Sequence, residues 1–263
     1  MAAKLTPLVV WGLVKELRVV AEDTRPLLVS GTLAPQLEKE LSRGGKPGAV
    51  RVGGSPEDVA ILVRVLGGKP TEEDERELRA AKRASVPVVA VQTGSETFDV
   101  PYVLATDVVL CRPGEGFPVE EIAAAIAARV GDAGISPAAR LPVLREPVCE
   151  RLIERFSRQN GIIGAAFFVP GADFAVLTLN QIRLVLRLAA AHGVEIDQSR
   201  VPEVLATVGA AFGFRALARQ LLGAITVAGW VVKGGIAYAG TRALGEAAHR
   251  YFAAQEDAVR SRS

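Results

Sequence analysis

Between Pro26 and about Gly131 the chain alternates short apolar runs with segments of helical period, and this alternation limits the possible folds most sharply. Leu27–Ser30 reads as a short buried strand and Leu33–Arg43 as a helix. Ala49–Val52, Asp58–Leu66, Val86–Thr93 and Asp107–Cys111 read as four further strands. "TEEDERELRAAKRA" predicts a helix whose acidic start suits the positive end of the helix dipole. "PVEEIAAAIAARV" predicts another, with proline near its first turn. Strands that alternate with helices imply an α/β fold, a parallel sheet with helices on its faces. After "GDAGISPAARLPVLREP", Gly131–Pro147, the strand signals stop and helical patterns run to the end. Its two glycines and three prolines mark a boundary.

Composition agrees with helices as the second half. Apolar residues make up 49% and aromatics 5%, so the core is expected to consist of Ala, Val and Leu. With 31 basic and 29 acidic residues the formal charge is +2, which gives no electrostatic footprint for nucleic acid. Cys111 and Cys149 lack CxxC or zinc-type spacing and read as single thiols. At the N-terminus, Val10, Leu13, Val14 and Leu17 recur at helical spacing, with Lys15, Glu16 and Arg18 opposite. This predicts an amphipathic helix packed on the domain behind it. The expected organisation is an N-terminal helix over 1–23, an α/β domain over 24–131, a linker over 132–149, a helical domain over 150–255 and a disordered tail over 256–263.

The run "DVAILVRVLGGKPTEEDERELRAAKRASVPVVAVQTGS" resembles the second half of an Era-like GTPase domain. There a buried strand leads to an acidic helix, and the next strand ends in the guanine-recognition motif. "CRPGEGFPVEEIAAAIA" resembles the last loop and helix of that fold. The chemistry such a domain needs is missing. A phosphate loop, G-x-x-x-x-G-K-[ST], wraps phosphates with backbone N–H groups, reaches the β and γ oxygens with Lys and holds Mg²⁺ through the hydroxyl. Counted from Gly31 and Thr32, the second glycine is Gln36, the lysine is Leu37 and the hydroxyl is Glu38. The guanine motif N-K-x-D falls on Gln92, Thr93, Gly94 and Ser95, and no D-x-x-G occurs in the chain. A plain strand–helix turn at Gly31 is the expectation, with a residual anion site near Thr32 as the alternative.

"NGIIGAAFFVPGADFAVLTLNQIRLVLRLAAAHG" and "GWVVKGGIAYAGTRALGEAAHRYF" resemble an uncharacterised bacterial helical domain that is found fused to Era-like GTPase domains and in proteins described as membrane-associated. The likeness spans about Glu150 to Phe252. Its P-G-A-D, Q-x-x-x-V-x-R and A-Y-x-G-T-R-x-L-G segments single out Asp173, Gln181, Arg187, Thr241 and Arg242. Asp173 reads as a helix-start residue. Asp173, Asn180 and Arg187 lie at sevenfold spacing with Arg183 beside them, opposite Val176, Leu179, Leu186 and Ala190. The stripe reads as a solvated face, an internal ion-pair seam or an interaction surface. Arg215 and Arg219 sit one turn apart and need carboxylates if buried, with Asp173, Glu203 and Glu246 as expected partners.

Other sites read as structural. Glu72, Glu73 and Asp74 read as a solvated helix start. His192 and His249 each lack a second ligand at i+4, so no metal, cofactor or catalytic constellation is expected. Gly209/Gly213 and Gly235/Ala239 place small residues four apart for close helix approach. The uncharged runs Gln220–Val232 and Gly161–Ala172 span 13 and 12 residues, short of the roughly 20 that a membrane span needs. The expectation is a cytoplasmic, non-catalytic protein with a pseudo-GTPase module. Its helical module would serve self-association, partner binding or contact with the inner face of the cell membrane. The alternatives are a nucleotide-responsive switch with slow or no turnover and an integral membrane protein with a cytoplasmic α/β domain.

Overall fold

Five short strands form one fully parallel sheet in the order β2-β1-β3-β4-β5. The strands are β1 (Leu27–Gly31), β2 (Val50–Val52), β3 (Ile61–Leu66), β4 (Val88–Gln92) and β5 (Val108–Leu110). The computed structural model describes residues 7–112, 114–166, 172–197, 201 and 230–261. A parallel sheet is covered on both faces, so its central strands are mostly apolar and buried. All six residues of β3 and all five of β4 are buried. The α/β fold expected from the sequence is the observed one.

Helices α2 (Ala34–Leu41), α3 (Glu72–Arg83) and α4 (Val119–Val130) connect or cover the strands. Leu28, Leu62, Leu66, Val88 and Ala90 form one face of the sheet with Leu78 and Ala81 of α3. α2 packs on β1 and β2, and α4 on β4 and β5. Completely burying one leucine contributes about 1.5–3 kcal/mol, so Leu37 and Leu41 fasten α2. α3 begins with a capping box: the Thr71 hydroxyl accepts from Asp74 N–H while the Asp74 carboxylate accepts from Thr71 N–H.

The chain divides into two units, one of residues 21–148 and one of residues 1–20 with 149–263. The segment expected as a linker is instead structured. It forms two 3₁₀ turns and α5 (Ile135–Arg140), and it buries Ile135, Ala138, Leu141 and Leu144. Proline and glycine there shape short helical turns rather than a flexible join. The Arg140 guanidinium donates to the carbonyls of Thr24 and Gly48, which fixes the segment to the α/β unit.

The helical unit contains α1 (Pro7–Ala21), α6 (from the start of this unit; Arg145–Ala166 in full), α7 (Ala172–Ala191) and α8 (Trp230–Arg260). α1 groups with the helical unit rather than with the α/β unit that follows it in sequence. Leu13, Val14 and Leu17 are buried, and Glu16 pairs with Arg183 and Arg187 of α7. The tail expected to begin at residue 256 is helical through Arg260. α6 and α8 run antiparallel, from Ile153 beside Gly245 to Gly164 beside Ala237. A Cβ on Gly164 would stand 2.8 Å from that of Ala237, and one on Gly234 would stand 2.8 Å from the Gly161 carbonyl oxygen. The close approach is therefore made by Gly164 and Gly234. Gly235, expected in that role, has open space at its Cβ position. Among the described residues no helix is long and apolar enough to cross a membrane.

Candidate functional site

The turn that would hold phosphate is only Thr32 and Leu33, between the end of β1 and the start of α2. Gly31 has φ +93°, and a Cβ there would lie 2.1 Å from the Val65 carbonyl oxygen of β3. That carbonyl accepts from Thr32 N–H at 3.0 Å, so the turn is drawn down onto the sheet. Gln36, Leu37 and Glu38 already belong to α2. Gln36 N–H bonds the Leu33 carbonyl, Leu37 is fully buried, and Glu38 accepts from the Ser42 hydroxyl at 2.9 Å. Pro35 removes one more donor from the helix start. Leu33 itself holds a left-handed backbone, φ 58° and ψ 18°, with no side-chain cap.

The residues in place of the guanine motif hold their own loop. The Gln92 amide donates to the Phe98 carbonyl and accepts from Phe98 N–H. Thr93 donates to the Leu66 carbonyl through both its N–H and its hydroxyl. Gly94 and Ser95 continue that loop, so these four residues form a structural turn after β4.

Strand order reverses between β1 and β3, and in doubly wound sheets this switch point opens a crevice at the carboxyl ends of the strands. A crevice of about 610 Å³ lies there, lined by Ser30, Gly31, Gly53, Gly54, Arg64, Glu73, Arg76 and Glu77 among others. Ser30 and Arg64 are register partners in the β1–β3 ladder. Arg64 is buried, bonds Asp74 through Nε at 2.8 Å and Nη2 at 2.6 Å, and pairs with Glu77 through Nη1. Burial pushes the Asp74 carboxyl up, but the Thr71 hydroxyl and N–H and the Arg64 guanidinium together hold it below the usual range. Asp74 is therefore no solvated helix-start residue. An arginine inside the apolar run "ILVRVL", ten residues before Asp74, was the sequence signal for this pair. The Ser30 hydroxyl is buried with no hydrogen-bond partner.

In the helical unit Asn180 and Arg187 of the α7 polar stripe are buried and Arg183 is half-buried; on the opposite face Leu186 and Ala190 are buried and Val176 is exposed. Asn180 Nδ2 donates to Asn160 Oδ1 at 3.0 Å, and Asn160 Nδ2 donates to the Thr241 hydroxyl at 2.8 Å. Gln181 reaches the same hydroxyl at 3.3 Å. Arg183 and Arg187 bond opposite oxygens of Glu16 at 3.2 and 2.6 Å. The stripe therefore makes polar contacts within the unit, including a half-exposed carboxylate from α1 that spacing within α7 could not reveal. Arg242 bonds Glu246 and Glu154, and Glu154 is held below the usual carboxyl range by the Tyr238 hydroxyl and then by Arg158. The Asp173 side chain, Arg215, Arg219, Glu203, Gly209 and Gly213 lie outside the described residues.

The two histidines are not isolated from each other. His192 Nε2 and His249 Nδ1 stand 3.0 Å apart, and their ligand atoms and the Cys149 sulfur all lie within 4.8 Å of one another. Their separations in sequence, 43 and 57 residues, put this grouping beyond any local motif. Cys111 and Cys149 are both buried; burial, and then Glu115, push the Cys111 thiol up. No protein-family model, curated protein or solved structure matches the chain.

Proposed function

We propose that this chain is a non-catalytic interaction protein, a pseudo-GTPase module joined to a helical module that serves self-association, partner binding or peripheral membrane contact. The observation that carries the reading is the two-residue β1–α2 turn, whose Thr32 N–H is engaged by Val65 and whose lysine position is a buried leucine. Phosphate cradling needs several free N–H groups and a cation. The buried cation at the switch-point crevice is Arg64, which two carboxylates already neutralise. On this reading the protein works in the cytoplasm or against the inner face of the cell membrane.

Equilibrium dialysis with labelled GTP and Mg²⁺ tests the first half, with no retained nucleotide expected. Light scattering and flotation with anionic vesicles test the second half. A lone monomer that neither self-associates nor floats, while retaining nucleotide, would reverse the reading. One observation favours the second reading, a nucleotide-responsive switch: the partnerless Ser30 hydroxyl beside the crevice. Saturable Mg²⁺-dependent retention that Ser30→Ala abolishes would establish it.

A further inference from the structure

The helical unit gathers the chain's two histidines and one of its two cysteines at the meeting of three helices. Cys149 lies in the second turn of α6, His192 directly follows α7, and His249 lies within α8. One atom from each, Cys149 Sγ and one ring nitrogen from each histidine, falls inside a 4.8 Å span. Two nitrogens at 2.0–2.1 Å from a tetrahedral zinc are about 3.3 Å apart, and a thiolate sulfur and a nitrogen about 3.5 Å. The 3.0 Å between His192 Nε2 and His249 Nδ1 therefore needs to open by only about 0.3 Å. The sulfur needs to close by at most about 1.3 Å, a side-chain rotation.

The other nitrogen of His192 has a carboxylate at hand. Glu256 Oε2 is 3.6 Å from Nδ1, while Nε2 faces His249. A carboxylate on one ring nitrogen fixes the tautomer that offers the other nitrogen to a metal. Cys149 is fully buried, the two histidines are half-buried, and the Phe252 ring centre is 5.9 Å from that of His192.

We propose that Cys149, His192 and His249 form a binding site for a zinc-type divalent cation, with Glu256 orienting His192. One sulfur and two imidazole nitrogens suit a borderline-soft ion, whereas magnesium and calcium require oxygen ligands. Binding forms one metal–sulfur and two metal–nitrogen bonds. The Cys149 thiol proton leaves to solvent, His192 holds its proton on Nδ1 toward Glu256, and the proton shared between His192 Nε2 and His249 Nδ1 moves to His249 Nε2. The ion ties α6, the end of α7 and α8 at one point, with water as fourth ligand. It is a clasp on the helical unit, separate from the α/β unit's crevice.

The test is metal titration of the purified full chain after chelation, first with Zn²⁺ and then with Co²⁺ as a spectroscopic probe. About one equivalent is expected to bind, with a thiolate-to-cobalt charge-transfer band and the strong visible bands of a four-coordinate site. Cys149→Ser and His249→Gln are expected to abolish the band, and Cys111→Ser to keep it. Glu256→Gln is expected to weaken affinity about 10–100-fold without removing the band. Should Cys149→Ser fail to fold, the band in wild type and in Cys111→Ser decides the matter, since Cys149 is then the remaining sulfur ligand. Absence of stoichiometric binding, loss of the band in Cys111→Ser, or its survival in both ligand variants would overturn the assignment.

Discussion

At the scale of single residues, three positions decide what the α/β unit does. Leu33 is an exposed leucine in a left-handed conformation that costs a branched side chain about 1–2 kcal/mol. Leu33→Gly is therefore expected to raise the urea midpoint, by about 1 kcal/mol in stability, because little packing is lost. Arg64 has the opposite character. Removing it leaves the buried Asp74 and the half-buried Glu77 without their cation, so Arg64→Ala is expected to cost about 3–5 kcal/mol in the same measurement. The Asp74 carboxyl is held low in the folded chain, so its stabilisation is present above the ordinary aspartate value of about 3.9. It is lost as pH falls below that value through the folded one. Asp74→Asn should accordingly flatten the fall in stability as pH drops below about 4; an unchanged acid profile would show that the pair adds nothing.

At the scale of elements, the α/β half was legible because strand and helix periods act within a few residues. β1, β3 and β4 are mostly apolar runs interrupted at Ser30, Arg64 and Gln92, and α3 begins at an acidic turn with its cap, Thr71, in place. The missing phosphate chemistry was legible for the same reason, since the motif positions Gln36, Leu37 and Glu38 are local. What spacing could not show was partner choice across the chain. Glu16 is 171 residues from Arg187, and Cys149 meets two histidines from other helices. Nor could a four-residue spacing of small side chains say which one faces a neighbour: Gly234 does, and Gly235 does not. Gly164→Leu is expected to separate α6 from α8 and lower the melting temperature, by a destabilisation of about 1–3 kcal/mol. Gly235→Ala is expected to leave it the same or raise it slightly, as alanine favours a helix by about 0.8–1.0 kcal/mol over glycine.

At the scale of the whole molecule, the chain is two units with different polar designs. The α/β unit keeps a crevice where such sheets bind ligands, but its loop is closed on β3 and its buried arginine is neutralised. The helical unit buries the Asn160–Asn180–Thr241 seam and holds half-exposed Glu16 pairs beside it. The most direct test of the central claim is a thermal-shift titration of the full chain with GTP, GDP and ATP, with and without Mg²⁺. A ligand that binds only the folded state stabilises it by about 2.7 kcal/mol at a hundred times its dissociation constant. No shift is expected at millimolar nucleotide. A saturable, Mg²⁺-dependent rise with GTP would contradict it and make the crevice beside Ser30 and Gly31 a working nucleotide site.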